Sequence, residues 1–74
     1  MTLQQINYVI AISEAGSMSR AAEKLYMSQP SLTSSIQELE NELGFRIFNR
    51  SRKGITLTAE GAEFLPFARH LYGQ

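Results

Sequence analysis

The chain predicts a mainly α-helical fold: three helices, a small two-stranded hairpin, then a longer final helix. Two observations carry this. Apolar residues recur at three- and four-residue spacing in four segments, each preceded by a residue that can cap a helix. The period shortens only once, after Gly44, where β-branched and aromatic residues flank a turn-forming stretch.

Seventy-four residues make one domain near the lower limit for independent folding, and there are no cysteines to staple it. An apolar content of 43% suits a globular chain. No apolar run approaches the roughly 18 residues of a membrane span, and "MTLQQ" has no basic stretch of the kind that opens a signal peptide. A cytoplasmic protein is the expectation. Formal net charge is zero, yet the charges are segregated. Arg46, Arg50, Arg52 and Lys53 fall in a segment with no acid from Leu43 to Ala59, while Glu38, Glu40 and Glu42 crowd the stretch before it. On charge alone, two solvated faces of opposite sign would explain this equally well.

Thr2 and Gln5 can cap a first helix reciprocally, with Leu3, Ile6, Val9 and Ile10 on its apolar face and "AGS" stopping it at Gly16. Ser17 or Ser19 caps a short second helix across "RAAEKL", which ends by Tyr26. Ser28 then caps a third. Pro30 falls in its first turn, where a missing N–H leaves no bond unmade. Leu32, Ile36, Leu39 and Leu43 form its stripe, and Gly44 ends it. With that stripe inward, Pro30, Ser34, Gln37 and Asn41 point outward and Ser31 and Thr33 flank them. "FRIFNR" and "ITLT", joined by "SRKG", read as a hairpin. Thr58 caps the last helix, with Glu60 in its first turn and Ala62, Leu65, Ala68, Leu71 and Tyr72 as its apolar face; Pro66 should bend it and free the Ala62 carbonyl. The pattern is still running at Gln74, so the helix is expected to continue in a longer parent protein.

Two short helices separated by "YMS" have the organisation of a helix-turn-helix, with Ala22 at the crossing and Leu25, Met27, Leu32 and Ile36 locking the pair. Tyr26 stands where glycine is common, so either it takes a left-handed conformation or the turn is built differently. A plain packed helix pair would satisfy part of this pattern. Three further features are not required by such a pair. The exposed start of the third helix carries Gln29, Pro30, Ser31, Thr33 and Ser34, short or amide side chains that can meet base edges; glutamine can pair with adenine through two bonds. The same helix turns acidic in its last third, which phosphates would repel. A basic hairpin follows, with Arg52 and Lys53 at its tip and Arg50 at its base, suited to phosphates or a minor groove.

The stretch "SRAAEKLYMSQPSLTSSIQELENELGFRIFNR" followed by "ITLTAEG" resembles the N-terminal winged helix-turn-helix domain of LysR-type transcriptional regulators, over essentially the whole chain. The resemblance implies a prokaryotic, cytoplasmic regulator that binds double-stranded DNA. It places the winged domain at residues 1–58 and the start of a linker helix at 59–74, and the effector-binding domain outside this chain. Helix 29–42 would enter the major groove, with Gln29, Pro30, Thr33 and Ser34 at bases, while Ser19, Arg50, Arg52 and Lys53 would contact the backbone. Family members often carry a long basic or amide side chain where this chain has Ser34, so readout would lean on Gln29, Thr33, the wing or DNA shape. The resemblance further implies a homodimer through the linker helix, a tetramer being open to the full-length protein, and a small-molecule effector bound only by the missing domain.

The dimer is also suggested by the residues. Phe64, Phe67, Leu71 and Tyr72 spread around the last helix, more apolar surface than one neighbour covers. The expected contact set is Leu65, Phe67, Ala68, Leu71 and Tyr72, on an inverted-repeat target. The alternative is a last helix that merely folds back on the first. A protein-interaction module, docking a partner through the acidic helix end or the last helix, is the rival function. An enzyme is not expected: there is one histidine, no aspartate and no glycine-flanked nucleophile turn. Neither a cofactor nor a metal is expected, since no ligand-type residues cluster.

Overall fold

A computed structural model describes residues 1–73. Its elements are α1 (Leu3–Ala15), α2 (Met18–Lys24), α3 (Gln29–Leu43), β1 (Phe48–Ser51), β2 (Gly54–Leu57) and α4 (Ala59–Leu71). Each helix starts on the side chain expected to cap it. Thr2 and Gln5 form a reciprocal capping box on α1, and Gly16 ends that helix at φ 72°. The α1 face differs from expectation at one point. Leu3 is exposed, whereas Ile12 and the Gln5 side chain are buried. Gln5 keeps its place inside because its Nε2 donates to the Ser35 carbonyl, 3.2 Å away, tying α1 to α3.

Ser17, not Ser19, caps α2, accepting from the Arg20 N–H at 3.1 Å. The turn into α3 resolves the question posed by Tyr26. The Tyr26 N–H donates to the Glu23 carbonyl (3.2 Å) and the Met27 N–H to the Ala22 carbonyl (3.0 Å), a Schellman closure with tyrosine in the left-handed position at φ 56°. A side chain there costs about 1–2 kcal/mol relative to glycine, and the ring makes no compensating contact, being 96% exposed. Ala21 and Ala22 are buried where α2 faces its neighbours. On α3, Leu32, Ile36 and Leu39 are buried as expected, with Leu43 half-buried at the end.

β1 and β2 pair antiparallel from Phe48↔Leu57 to Ser51↔Gly54, so Arg52 and Lys53 form a two-residue turn. The strand starts later than expected. Phe45 to Ile47 are not in the ladder, and Ile47 instead enters the core with no exposed surface. Four hydrogen bonds to this backbone explain why. The Glu40 carboxylate accepts from the Ile47 N–H (2.7 Å) and the Phe48 N–H (3.3 Å). The Thr58 N–H donates to the Ile47 carbonyl at 3.0 Å, and the Thr58 hydroxyl donates to the Arg46 carbonyl. Gly61 lies so close that a Cβ would sit 2.0 Å from the Ile47 oxygen, so glycine is required by space. The second strand is held separately, through the Ile55 N–H and the Gly16 carbonyl (3.3 Å).

α4 runs through Pro66 without interruption and packs against α1. Its inward face is Gly61, Phe64 and Ala68, with Leu65 half-buried beside them; Ala62, expected inward, is exposed. The aromatic ring wins the interior because Phe64 meets Phe45 edge-on, centroids 6.2 Å apart. Arg69 and Glu14 add an exposed ion pair between the two helices. α4 was expected to be still running at Gln74; it ends instead at Leu71, where the Tyr72 N–H donates to the Ala68 carbonyl at 3.0 Å and Gly73 turns the chain at φ 89°, and Gln74 itself lies outside the described residues. Among those described, no helix is long and apolar enough to cross a membrane, and no group of His, Cys, Asp or Glu is arranged to hold a metal.

Candidate nucleic-acid interface

The N-terminal ends of α2 and α3 and the whole wing tip converge on one open cleft of about 400 Å³. Ser17, Ser19, Gln29, Arg50, Arg52 and Lys53 are among the side chains that line it. Four of the expected site residues separated by up to 34 positions in the sequence, Ser19, Gln29, Arg52 and Lys53, are thus neighbours in space, with Arg50 between the helix and the wing tip. All five are exposed. Each is there for a local reason. Gln29 opens α3 because Ser28 caps it, accepting from the Ser31 N–H at 3.2 Å. Arg52 and Lys53 are at the tip because Gly54, at φ 129°, lets the chain reverse beside the Gly16 carbonyl.

Pro30, Ser31 and Ser34 are exposed along the same helix but lie outside the cleft. Their short side chains leave the helix surface open to close approach. Thr33 differs. It is half-buried, and its hydroxyl accepts from the Arg50 Nη2 at 3.2 Å. One expected base reader is therefore already bonded to one expected backbone anchor. Ser31 is likewise engaged, its hydroxyl accepting from Ser28 at 2.8 Å, and Ser19 lies 3.2 Å from the Ser17 hydroxyl.

The cleft is one-signed where it matters. Arg50, Arg52 and Lys53 line it without an acidic side chain among the lining residues. Glu38 and Glu42 are exposed further along α3, and Glu42 pairs with the N-terminal ammonium of Met1. Glu40, by contrast, turns inward to the wing backbone. Its role as a wing anchor was missed in reading the sequence, although one signal pointed to it: position 40 is four residues after Ile36 and so borders the buried stripe. Gln5 was missed in the same way, being read only as half of a cap.

Among the residues expected at a dimer contact, Phe67, Leu71 and Tyr72 are exposed at 51%, 42% and 41%, and Leu65 is half-buried. Ala68 corrects the expectation. It has no exposed surface, being packed within the chain's own core, and presents nothing to a partner. One face of α4 is covered by α1, and another is left open.

Helix pair, wing and basic cleft together define a winged helix-turn-helix domain. Comparison with known proteins places it more narrowly. Residues 3–62 match the family described as bacterial regulatory helix-turn-helix protein, lysR family. The chain is 44% identical to the HTH-type transcriptional regulator TfdT of Cupriavidus pinatubonensis, over 96% of this chain and 31% of TfdT. To TcbR of a Pseudomonas species it is 46% identical, over 96% of this chain and 24% of TcbR. It therefore spans under a third of the length of these curated relatives. Among solved structures, a crystal structure of a CbnR DBD–DNA complex superposes with a TM-score of 0.92 at 46% identity, covering 96% of this chain and 82% of that one. A BenM DBD/catB site 1 DNA complex gives 0.91 at 38% identity, covering 96% and 80%. The chain belongs to the lysR family of bacterial regulatory helix-turn-helix proteins and is a DNA-binding domain of that family, which is not a family of enzymes.

Proposed function

We propose that this chain reads a specific double-stranded DNA sequence, with the start of α3 in a major groove and the wing along the adjacent backbone or minor groove. The observation that carries this reading is the cleft in which Gln29 faces Arg50, Arg52 and Lys53. Amide and hydroxyl groups supply base discrimination, and the cations supply sequence-independent attraction. Gln29, Pro30, Ser31, Thr33 and Ser34 are the proposed reading set; Ser19, Arg50, Arg52 and Lys53 are the anchors. Thr33 reads bases only if Arg50 releases its hydroxyl or if its methyl group makes the contact.

The same reading takes residues 1–58 as the reading body and the helix from residue 59 as the means of pairing two copies, through Phe67, Leu71 and Tyr72 with Leu65 at the edge. A two-fold pair presents two α3 helices to an inverted repeat. That the similar CbnR and BenM domains were solved in complex with DNA supports duplex DNA as the partner. The curated relatives are more than three times as long as the region they share with this chain, and the reading extends to a cytoplasmic regulator whose small-molecule effector is bound outside this domain.

Selection of binding sites from a random duplex pool tests the proposal, because sequence, symmetry and spacing are reported together. An enriched inverted repeat is expected, with log K falling against log salt by about 0.9 per phosphate contacted. Lys53→Ala should weaken every duplex and flatten that slope by about 1. A pool that emerges unenriched, with binding insensitive to salt, would sink the reading and favour the protein-interaction module.

A further inference from the structure

We infer that Glu40 is a positioning residue for DNA binding: its carboxylate sets the wing, and through it Arg50, against the reading end of α3. The inference rests on the DNA-binding reading above. Three acidic residues crowd the C-terminal part of α3, and only one of them is turned inward. Glu40 Oε2 accepts from two successive backbone N–H groups, Ile47 at 2.7 Å and Phe48 at 3.3 Å, at the point where the chain enters β1. Bonds from N–H groups to a carboxylate are stronger than neutral ones, and two converging on one oxygen fix the direction of the strand that leaves it. Two residues beyond Phe48, on the same strand, Arg50 reaches back to the same helix at Thr33, 3.2 Å.

α3 and β1 are thereby joined at both ends of a short bridge. Glu40 holds the entry, and the Thr33–Arg50 bond holds the cationic end. The opposite side of the same peptide is held by α4, since the Ile47 carbonyl accepts from the Thr58 N–H and abuts Gly61. The Ile47 backbone is a junction of reading helix, wing and departing helix. With a neutral amide in place of the carboxylate, the Ile47 N–H keeps only a weaker acceptor in a residue that is otherwise fully buried, and the strand is less firmly held at its entry angle. Arg50 then no longer stands at a fixed place beside Gln29 in the cleft.

Electrostatics alone predicts the opposite. Any glutamate near a DNA-binding face repels phosphates, so its neutralisation should tighten binding. Glu40→Gln and Glu38→Gln remove the same charge from the same helix, and Glu38 is exposed. The test compares them in the 74-residue chain, with Glu40→Asp as a third variant. Thermal unfolding establishes that each is folded, amide hydrogen exchange reads the wing without DNA, and duplex binding is measured across a salt series.

Glu38→Gln should bind as the parent does or slightly more tightly, with the same slope. Glu40→Gln should exchange faster at Ile47 and Phe48, bind about tenfold more weakly and lose about one phosphate contact from the salt slope. Its base preference should be unchanged, and Glu40→Asp should recover part of the loss. Should the Gln variant of Glu40 fail to fold, Thr33→Val breaks the far end of the bridge instead and should flatten the slope equally. Tighter binding by Glu40→Gln, or unaltered slopes in both the bridge variants, overturns the inference while leaving DNA binding intact. A parent chain that binds no DNA, with the wing loosened as described, overturns the function itself and with it the role assigned to Glu40.

Discussion

The two halves of α3 are alike from inside and opposite from outside. Leu32 and Ile36 in the first half and Leu39 in the second are buried to the same degree, so the helix is held to the body along its length by one stripe. Outward, the first half offers Gln29, Pro30, Ser31 and Ser34, uncharged and short, and the second offers Glu38 and Glu42. Stability and chemistry are thus distributed on different axes of a single helix. Burial runs along it uniformly, and the capacity to approach a polyanion is confined to its first two turns. The acidic half also contributes through Glu40, which is half-buried and turned to the wing backbone.

That contrast can be tested from both sides. The largest effects should come from the shared stripe: Leu32→Ala and Leu39→Ala should each destabilise by about 2–5 kcal/mol in denaturant unfolding, without distinction between halves. A clear difference between them would mean that one half is held by something other than burial. Next, Gln29→Ala should leave stability unchanged while relaxing preference at one base pair by about 1–3 kcal/mol, measured as the ratio of operator to mismatched duplex. Ser28→Ala removes the oxygen that accepts from Ser31 N–H; it should cost about 1 kcal/mol in folding and weaken operator binding, because the frayed turn is the one proposed to read. Smallest of all, Glu42→Gln should change stability by less than about 1 kcal/mol despite its contact with the Met1 ammonium, that pair being half exposed to solvent.

How much of this could be read from the residues divides along the range of the interaction. Caps and stops depend on three or four neighbouring residues, and Thr2, Ser28, Thr58, Gly16 and Gly44 are found where local chemistry placed them. The buried stripe of α3 was legible because a helix repeats its faces. Interactions between elements were not. Neither the reach of Glu40 across seven positions nor that of Arg50 across 17 leaves a periodic trace. On α4 two apolar faces competed, and the choice of Phe64 over Ala62 depended on Phe45, which belongs to another part of the chain. The hairpin was placed but its first strand was begun too early, because an apolar run before a strand looks like the strand itself. Of the cleft, the residue types were legible and their convergence was not.

Gly61 has a last implication. With no room for a Cβ between it and the Ile47 oxygen, and Thr58 bonded to the same carbonyl, the departing helix is held closely at its base. As far as Leu71, α4 therefore leaves the body on a fixed heading, as a gear on a keyed shaft does.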